Sequence, residues 1–365
     1  MSLSQTYHWH DVREWGVEGK GWADTERPFD RLPARASGAV RDVIWNLSRH
    51  ATGMSVRFET DAPAIAARWT LGAEPLAKPQ MPATAVSGLD LYAQSETGAW
   101  RWTGVSRWPD RFPTVEAELV AGLDGRRRAY ATYLPLWNAV LGLEIGVPSG
   151  AAFAPLPPRP QPPLVVYGTS IVHGAAASRA GMAYPAILGR RLDLPTINLG
   201  FAGNAHMEPE VAALLAELAP CAYVVDCLPN MAAPLVEERA APLVRTLRRA
   251  HPTTPIVLVE DRTYADAAFR PVARESNRTR RAALRAAYRR LQDEGVSHLT
   301  YVPGESLLAA DGESTVDGSH PTDLGFAQLA AALEPPVRAA LGVADTSGEE
   351  GGPVLRGRSP QTPRT

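Results

Sequence analysis

The chain has 365 residues, of which 45% are hydrophobic, and its 37 basic and 39 acidic side chains leave a formal net charge of −2. That length holds two domains with ordinary buried cores, and so even a charge balance argues against a nucleic-acid partner. The first ten residues lack a basic stretch followed by an apolar one, no apolar run is long enough to cross a bilayer, and Cys221 and Cys227 are too few for a disulfide framework. The expectation is a reduced, cytoplasmic protein with no membrane partner.

The nine tryptophans all lie between Trp9 and Trp137, which sets the first part of the chain apart from the rest. Residues 53–59, 89–92, 100–102 and 130–134 alternate apolar and polar side chains, with aromatic and β-branched types between Gly, Pro and Asp turns. This pattern predicts an all-β sandwich or jelly-roll domain over 1–150. Its tryptophans either fill that core or stack on sugars or polycyclic rings. His8 and His10 would share a strand face at a spacing some metal sites use, but no third ligand is indicated, and no metal is expected. Residues 151–163 are rich in proline and read as a semi-rigid linker.

Over 164–342 the pattern changes. Apolar runs at 164–167, 196–199, 222–226, 256–260 and 299–302 alternate with helical stretches, which predicts an α/β domain with a flavodoxin-like, doubly wound parallel sheet. Arg274, Arg278, Arg281, Arg285 and Arg289 recur at helical spacing. They form either a stripe for the phosphates of coenzyme A or an acidic carrier protein, or a solvated helix face. Pro321 suits the first turn of a terminal helix, and 343–365 reads as a disordered tail.

The chemistry sits at the ends of the predicted strands. Ser170 follows the first apolar run by way of Gly168-Thr169, and Asp317-Gly318-Ser319-His320 lies far downstream. A serine hydroxyl is a weak nucleophile, so it needs an imidazole to take its proton, and His320 is the candidate base. That imidazole in turn needs a carboxylate to fix its tautomer, a role Asp317 can fill from the same loop. Val172 stands where a G-x-S-x-G elbow has its second glycine, which disfavours an α/β-hydrolase.

Gly168-Thr169-Ser170-Ile171, Asn198-Leu199-Gly200-Phe201-Ala202-Gly203-Asn204, Asp226-Cys227-Leu228-Pro229-Asn230-Met231 and Asp317-x-x-His320 occur in the order of four sequence blocks. In this the chain resembles the SGNH (GDSL-type) hydrolases over about 164–341, with Thr169 in place of the usual aspartate. The resemblance implies the SGNH hydrolase fold, Ser170 as nucleophile, and an oxyanion hole made of the Ser170 and Gly203 N–H groups and the Asn230 side chain. Gly203 and Asn230 also have plainer readings, as a positive-φ turn and a helix cap.

The resemblance further implies an acyl-enzyme whose acceptor decides the reaction. A positioned alcohol gives an O-acyltransferase, moving an aryl or other acyl group from a coenzyme A thioester or ester to a hydroxyl of a natural product, as in antibiotic biosynthesis. Water gives an esterase that deacylates carbohydrates or small esters. Transfer is the expectation, with no cofactor, because no secretion signal is seen and the loops 171–176 and 204–207 differ from Gly- and Gln-containing hydrolase versions. A third reading is a binding module with an inert serine. His173, His206 and Arg262 are candidates for substrate contact; loop packing for the histidines and a local ion pair for Arg262 are the alternatives.

Overall fold

The computed structural model describes residues 6–106 and 111–343; the expected tail, beyond its first residue, lies outside the described residues. Alternating side chains build the first region. Its elements are β1 (Tyr7–Asp11), α1 (Asp42–Ser48), β2 (Ser55–Thr60), β3 (Ala64–Leu71), the single turn α2 (Ala83–Val86), β4 (Asp90–Gln94), β5 (Trp100–Val105), β6 (Thr114–Ala121), β7 (Arg128–Tyr133), β8 (Val140–Pro148) and β9 (Phe153–Leu156). The strands form two antiparallel sheets, ordered β1-β8-β3-β6 and β5-β4-β7-β2-β9. Residues two apart share a face of a pleated strand. Ile65, Ala67, Trp69 and Leu71 of β3 therefore meet Val56 and Phe58 of β2 and Tyr130 of β7 in one core between the sheets.

Among the described residues the tryptophans do not gather into one platform. Trp69 is buried in the sandwich, donating its indole N–H to Ser87 O, Trp22 packs elsewhere, and Trp102 is exposed. Pro155, within the expected linker, instead belongs to β9, an edge strand paired only with β2, where a missing N–H is tolerated.

The second region alternates strands and helices: β10 (Leu164–Gly168), α3 (Ser170–His173), α4 (Tyr184–Leu192), β11 (Thr196–Gly200), α5 (Pro209–Leu215), β12 (Ala222–Asp226), α6 (Ala233–Ala250), β13 (Ile256–Val259), α7 (Pro271–Asp293), β14 (Leu299–Val302) and α8 (Asp323–Leu341). All five strands are parallel, in the order β11-β10-β12-β13-β14. Leu164 and Val166 of β10 pack under α4 and α8, while Val165 and Tyr167 pack under α5, α6 and α7, so the strand is apolar on both faces. The first region shares these cores: Ile44 of α1 joins the α5–α6–α7 side, and Tyr92, Tyr133 and Leu136 join the α4–α8 side.

The chain passes from β10 to its neighbour β11 and then crosses back to β12 on the other side of β10, so the strand order reverses there. The crevice at its carboxyl end is where sheets of this kind take ligands. Among the described residues no helix is long and apolar enough to cross a membrane.

Candidate active site

Ser170 is the first residue of α3, directly beyond β10. Thr169 caps that short helix, its Oγ1 accepting from Ile171 N–H at 3.3 Å. The turn lies unusually close to the neighbouring strand: a Cβ on Gly200 would fall 2.2 Å from His173 N, so only glycine lets α3 rest on β11. Asn198 adds a tie, donating from Nδ2 to Val172 O at 2.7 Å and accepting Gly200 N–H at 2.9 Å.

The loop 317–320 brings the other groups to the serine. Ser170 Oγ lies 2.9 Å from His320 Nε2, and His320 Nδ1 lies 2.8 Å from Asp317 Oδ2. This geometry calls for the tautomer with its proton on Nδ1, donated to the carboxylate, leaving Nε2 to accept from the hydroxyl. Asp317 Oδ1 also accepts the N–H groups of His320 at 2.8 Å and Ser319 at 3.0 Å. Partial burial alone would raise the Asp317 pKa, but these hydrogen bonds outweigh it and hold the carboxyl below its usual range. Asp317 and His320 side chains are 47% and 27% exposed, so water reaches both groups.

Gly203 and Asn230 follow β11 and β12, the two neighbours of β10. Gly203 sits at φ +71° with open space around its would-be Cβ, so the turn needs glycine for its backbone angle and not for room. Among the described residues neither the Ser170 nor the Gly203 N–H donates to another backbone carbonyl. Asn230 ends a 3₁₀ turn, Leu228–Asn230, and its Oδ1 is buried without a hydrogen-bond partner. It does not cap α6, whose N-terminus has no side-chain cap.

The three candidate substrate contacts have other surroundings. His173 is fully buried, with Nε2 2.9 Å from Leu136 O and 3.2 Å from His50 Nδ1 and its ring stacked on Trp137; it packs the first region against α3 and does not face the site. Burial first, then the charges of Arg31 and His50, drives its pKa well below normal. His206 lies with Nδ1 3.2 Å from Arg41 Nη2, at the edge of a cleft of about 910 Å³ also lined by Val40, Ile44, Leu235 and Arg239. Neither Ser170 nor His320 lines that cleft. Arg262 is 2% exposed and binds Asp261 and Ser319, which is the local ion pair and not an open substrate contact.

The arginine stripe on α7 is largely engaged. Arg278 pairs with Glu275, and Arg281 and Arg285 reach Glu260, a fully buried carboxylate at the end of β13. Sequence reasoning missed two supports of the site. Arg31, wholly buried, donates to Asn198 O and Gly200 O at 3.1 and 2.8 Å. Asp90 accepts from Arg179 Nη1 at 2.8 Å and Gly181 N at 2.7 Å in the segment after α3. Both ties span the two regions, so no local spacing could reveal them.

The GDSL-like lipase/acylhydrolase family model matches residues 161–338, and the model for the N-terminus of SGNH-type esterases matches 7–153. A GDSL-like lipase from Bacteroides ovatus is 32% identical and superposes with a TM-score of 0.87 over 93% of this chain and 99% of its own. The salicylyl-acyltransferase SsfX3 from a tetracycline biosynthetic pathway shares the fold at 20% identity, TM-score 0.72, over 92% and 98% of the two chains. A family two carbohydrate esterase from Cellvibrio japonicus does so at 14% identity, TM-score 0.61, over 93% and 99%. No curated protein matches the sequence. The chain belongs to the GDSL-like lipase/acylhydrolase family.

Proposed function

We propose that this acylhydrolase-family enzyme cleaves an ester through an acyl intermediate on Ser170. The observation that carries the reading is the unbroken relay Ser170 Oγ to His320 Nε2 at 2.9 Å and His320 Nδ1 to Asp317 at 2.8 Å. In the first half-reaction Oγ attacks the ester carbonyl while its proton passes to Nε2. The carbonyl π-electrons move to oxygen, where the Ser170 and Gly203 N–H groups and the Asn230 amide are the proposed donors. Collapse expels the leaving group, which takes the proton from Nε2. Asp317 orients the imidazole and stabilises its charged form throughout.

In the second half-reaction an acceptor O–H gives its proton to Nε2 and attacks the acyl-serine, releasing Ser170. Water is the acceptor the geometry supports best, because both Asp317 and His320 are open to solvent. The second reading is O-acyl transfer to a hydroxyl. It draws on the architecture shared along nearly the whole chain with SsfX3, and it needs the acceptor to outcompete water by positioning. A coenzyme A donor has less support, since the arginines expected to hold its phosphates are largely engaged with carboxylates.

The test offers p-nitrophenyl esters and aryl-coenzyme A thioesters with and without polyphenolic acceptors, following free acid and new ester by mass. Free acid alone, whatever the acceptor, supports hydrolysis. New ester formed faster than free acid makes transfer the activity.

A further inference from the structure

Arg262 lies three residues beyond β13, and its guanidinium is spent on the loop that carries the proposed base. Nε donates to Ser319 O at 2.8 Å and Nη2 to Ser319 Oγ at 2.8 Å, a two-point grip on the residue next to His320. The third arm, Nη1, donates to Asp261 Oδ1 at 2.9 Å.

The grip has a rigid base. Asp261 is fully buried, and its other oxygen accepts from Asn277 Nδ2 at 3.1 Å and Arg280 Nη1 at 3.2 Å, both on α7. Asn277 also donates to Arg262 O at 3.0 Å and accepts Tyr264 N–H at 3.0 Å, so the main chain on either side of Arg262 is fixed to the same helix. One more bond joins the two loops, from Ala265 N to Gly318 O at 3.0 Å. Within 317–320 the carboxylate of Asp317 curls onto its own loop, to Ser319 N, His320 N and the imidazole. Those bonds set the shape of the loop but not its place over Ser170. The contacts made on Gly318 and Ser319 from outside 317–320 come from the segment after β13, while three residues beyond His320 the Asp323 carboxylate adds a tie by accepting from Ser178 N–H and Oγ–H.

On the reading of Ser170 and His320 as nucleophile and base, we infer that Arg262 is a positioning residue, which locks the acid–base loop in register with Ser170 through Ser319. It touches neither the ester nor the reacting atoms in this role. A lysine at 262 keeps the charge but has one nitrogen centre where three directions must be met, so it cannot hold Ser319 O, Ser319 Oγ and Asp261 together. Loosening the loop moves His320 relative to Oγ, and a displacement of about 1 Å in such a unit is worth roughly 100-fold in rate.

The experiment compares full-length wild type, Arg262→Lys, Ser319→Ala and Ser170→Ala. It measures the rate of phosphonylation by a fluorophosphonate probe, kcat and KM on p-nitrophenyl acetate, and Tm. Probe labelling needs the activated serine and no substrate pocket. Arg262→Lys should slow both labelling and kcat by about 100-fold. Ser319→Ala, which loses one of the two grips, should slow them by about fivefold. KM should stay within about twofold in both, since ground-state binding is untouched.

A merely structural role would lower Tm and leave the labelling rate and kcat of the folded variants at the wild-type values. Variants labelled at the wild-type rate, or a rise in KM with kcat unchanged, overturn the inference; the latter returns Arg262 to substrate contact. If Arg262→Lys does not fold, Ser319→Ala decides by the same measures. Failure of the parent reading looks different: wild type would then go unlabelled, or Ser170→Ala would label as wild type does.

Discussion

Acid should weaken this protein through two packed histidines, the buried His173 and the half-buried His50, and His50→Gln isolates the effect. His50 Nδ1 and His173 Nε2 stand 3.2 Å apart where the first region packs on α3, with Trp137 stacked on His173. Burial, then the charges of Arg31 and Lys78, lowers the His50 pKa to about 3. In the unfolded chain the same imidazole titrates at about 6.5. Between pH 7 and pH 5 the unfolded state therefore takes up a proton at this residue and the folded state does not, so stability falls as pH falls, by about 2 kcal/mol for His50 alone.

Asp226 works in the opposite direction. Burial pushes its carboxyl up to about 6, partly offset by Arg262 and a hydrogen bond from Tyr184, so the folded state takes up a proton there over the same interval. The total slope mixes such terms, and the difference between wild type and His50→Gln removes them. Urea unfolding at pH 7 and pH 5 should show the penalty of His50→Gln shrinking by about 2 kcal/mol in acid. Equal penalties at the two pH values would refute the assignment of His50 as a group held neutral by its packing.

Asn230→Ala should lower kcat by about 100-fold or more with little change in KM, measured by steady-state kinetics, as expected for a donor used mainly in the transition state. Loss confined to KM would remove Asn230 from the oxyanion hole. Asp90→Ala should cost about 3–5 kcal/mol in urea unfolding, because it strands the Arg179 guanidinium between the two regions, and an Asp90→Leu/Arg179→Met double variant should recover most of it. Gly203→Ala should fold with a loss of about 1–2 kcal/mol, since the added methyl meets no neighbour and only the backbone angle is strained. A much larger loss would mean that the turn is packed more tightly than the open space around it indicates.

The parallel sheet was plain in the sequence because its strands are buried on both faces. Leu164-Val165-Val166-Tyr167 has no polar position to confuse the reading, and the observed strand adds only Gly168. The proposed triad was legible for a related reason: Ser170 follows a strand end, and Asp317 and His320 share one short loop. In the sandwich the pattern was harder to read. β6 runs Thr114-Val115-Glu116-Ala117-Glu118-Leu119-Val120-Ala121, where Ala, Glu and Leu favour a helix taken alone. It is a strand because Val115 and Leu119 reach the core while Glu116 pairs with Arg68 on the neighbouring β3.

The side chains around the site show the same division. His173 follows Ser170 by three residues and looks like a neighbour of the chemistry, but its partners Leu136, Trp137 and His50 come from distant segments and bury it. Arg262 was visible as the end of a strand. That it would grip Ser319, 57 residues on, depends on how β13 and the terminal loop lie together in space.

Intact-mass and peptide mapping during turnover of a slowly deacylating ester test the central claim most directly. Wild type should form an acyl adduct on the peptide that contains Ser170, and Ser170→Ala should form none. Ser170→Ala and His320→Ala should each lower kcat by several orders of magnitude without additivity in the double variant. A folded Ser170→Ala protein that turns over ester at near the wild-type rate would contradict the claim.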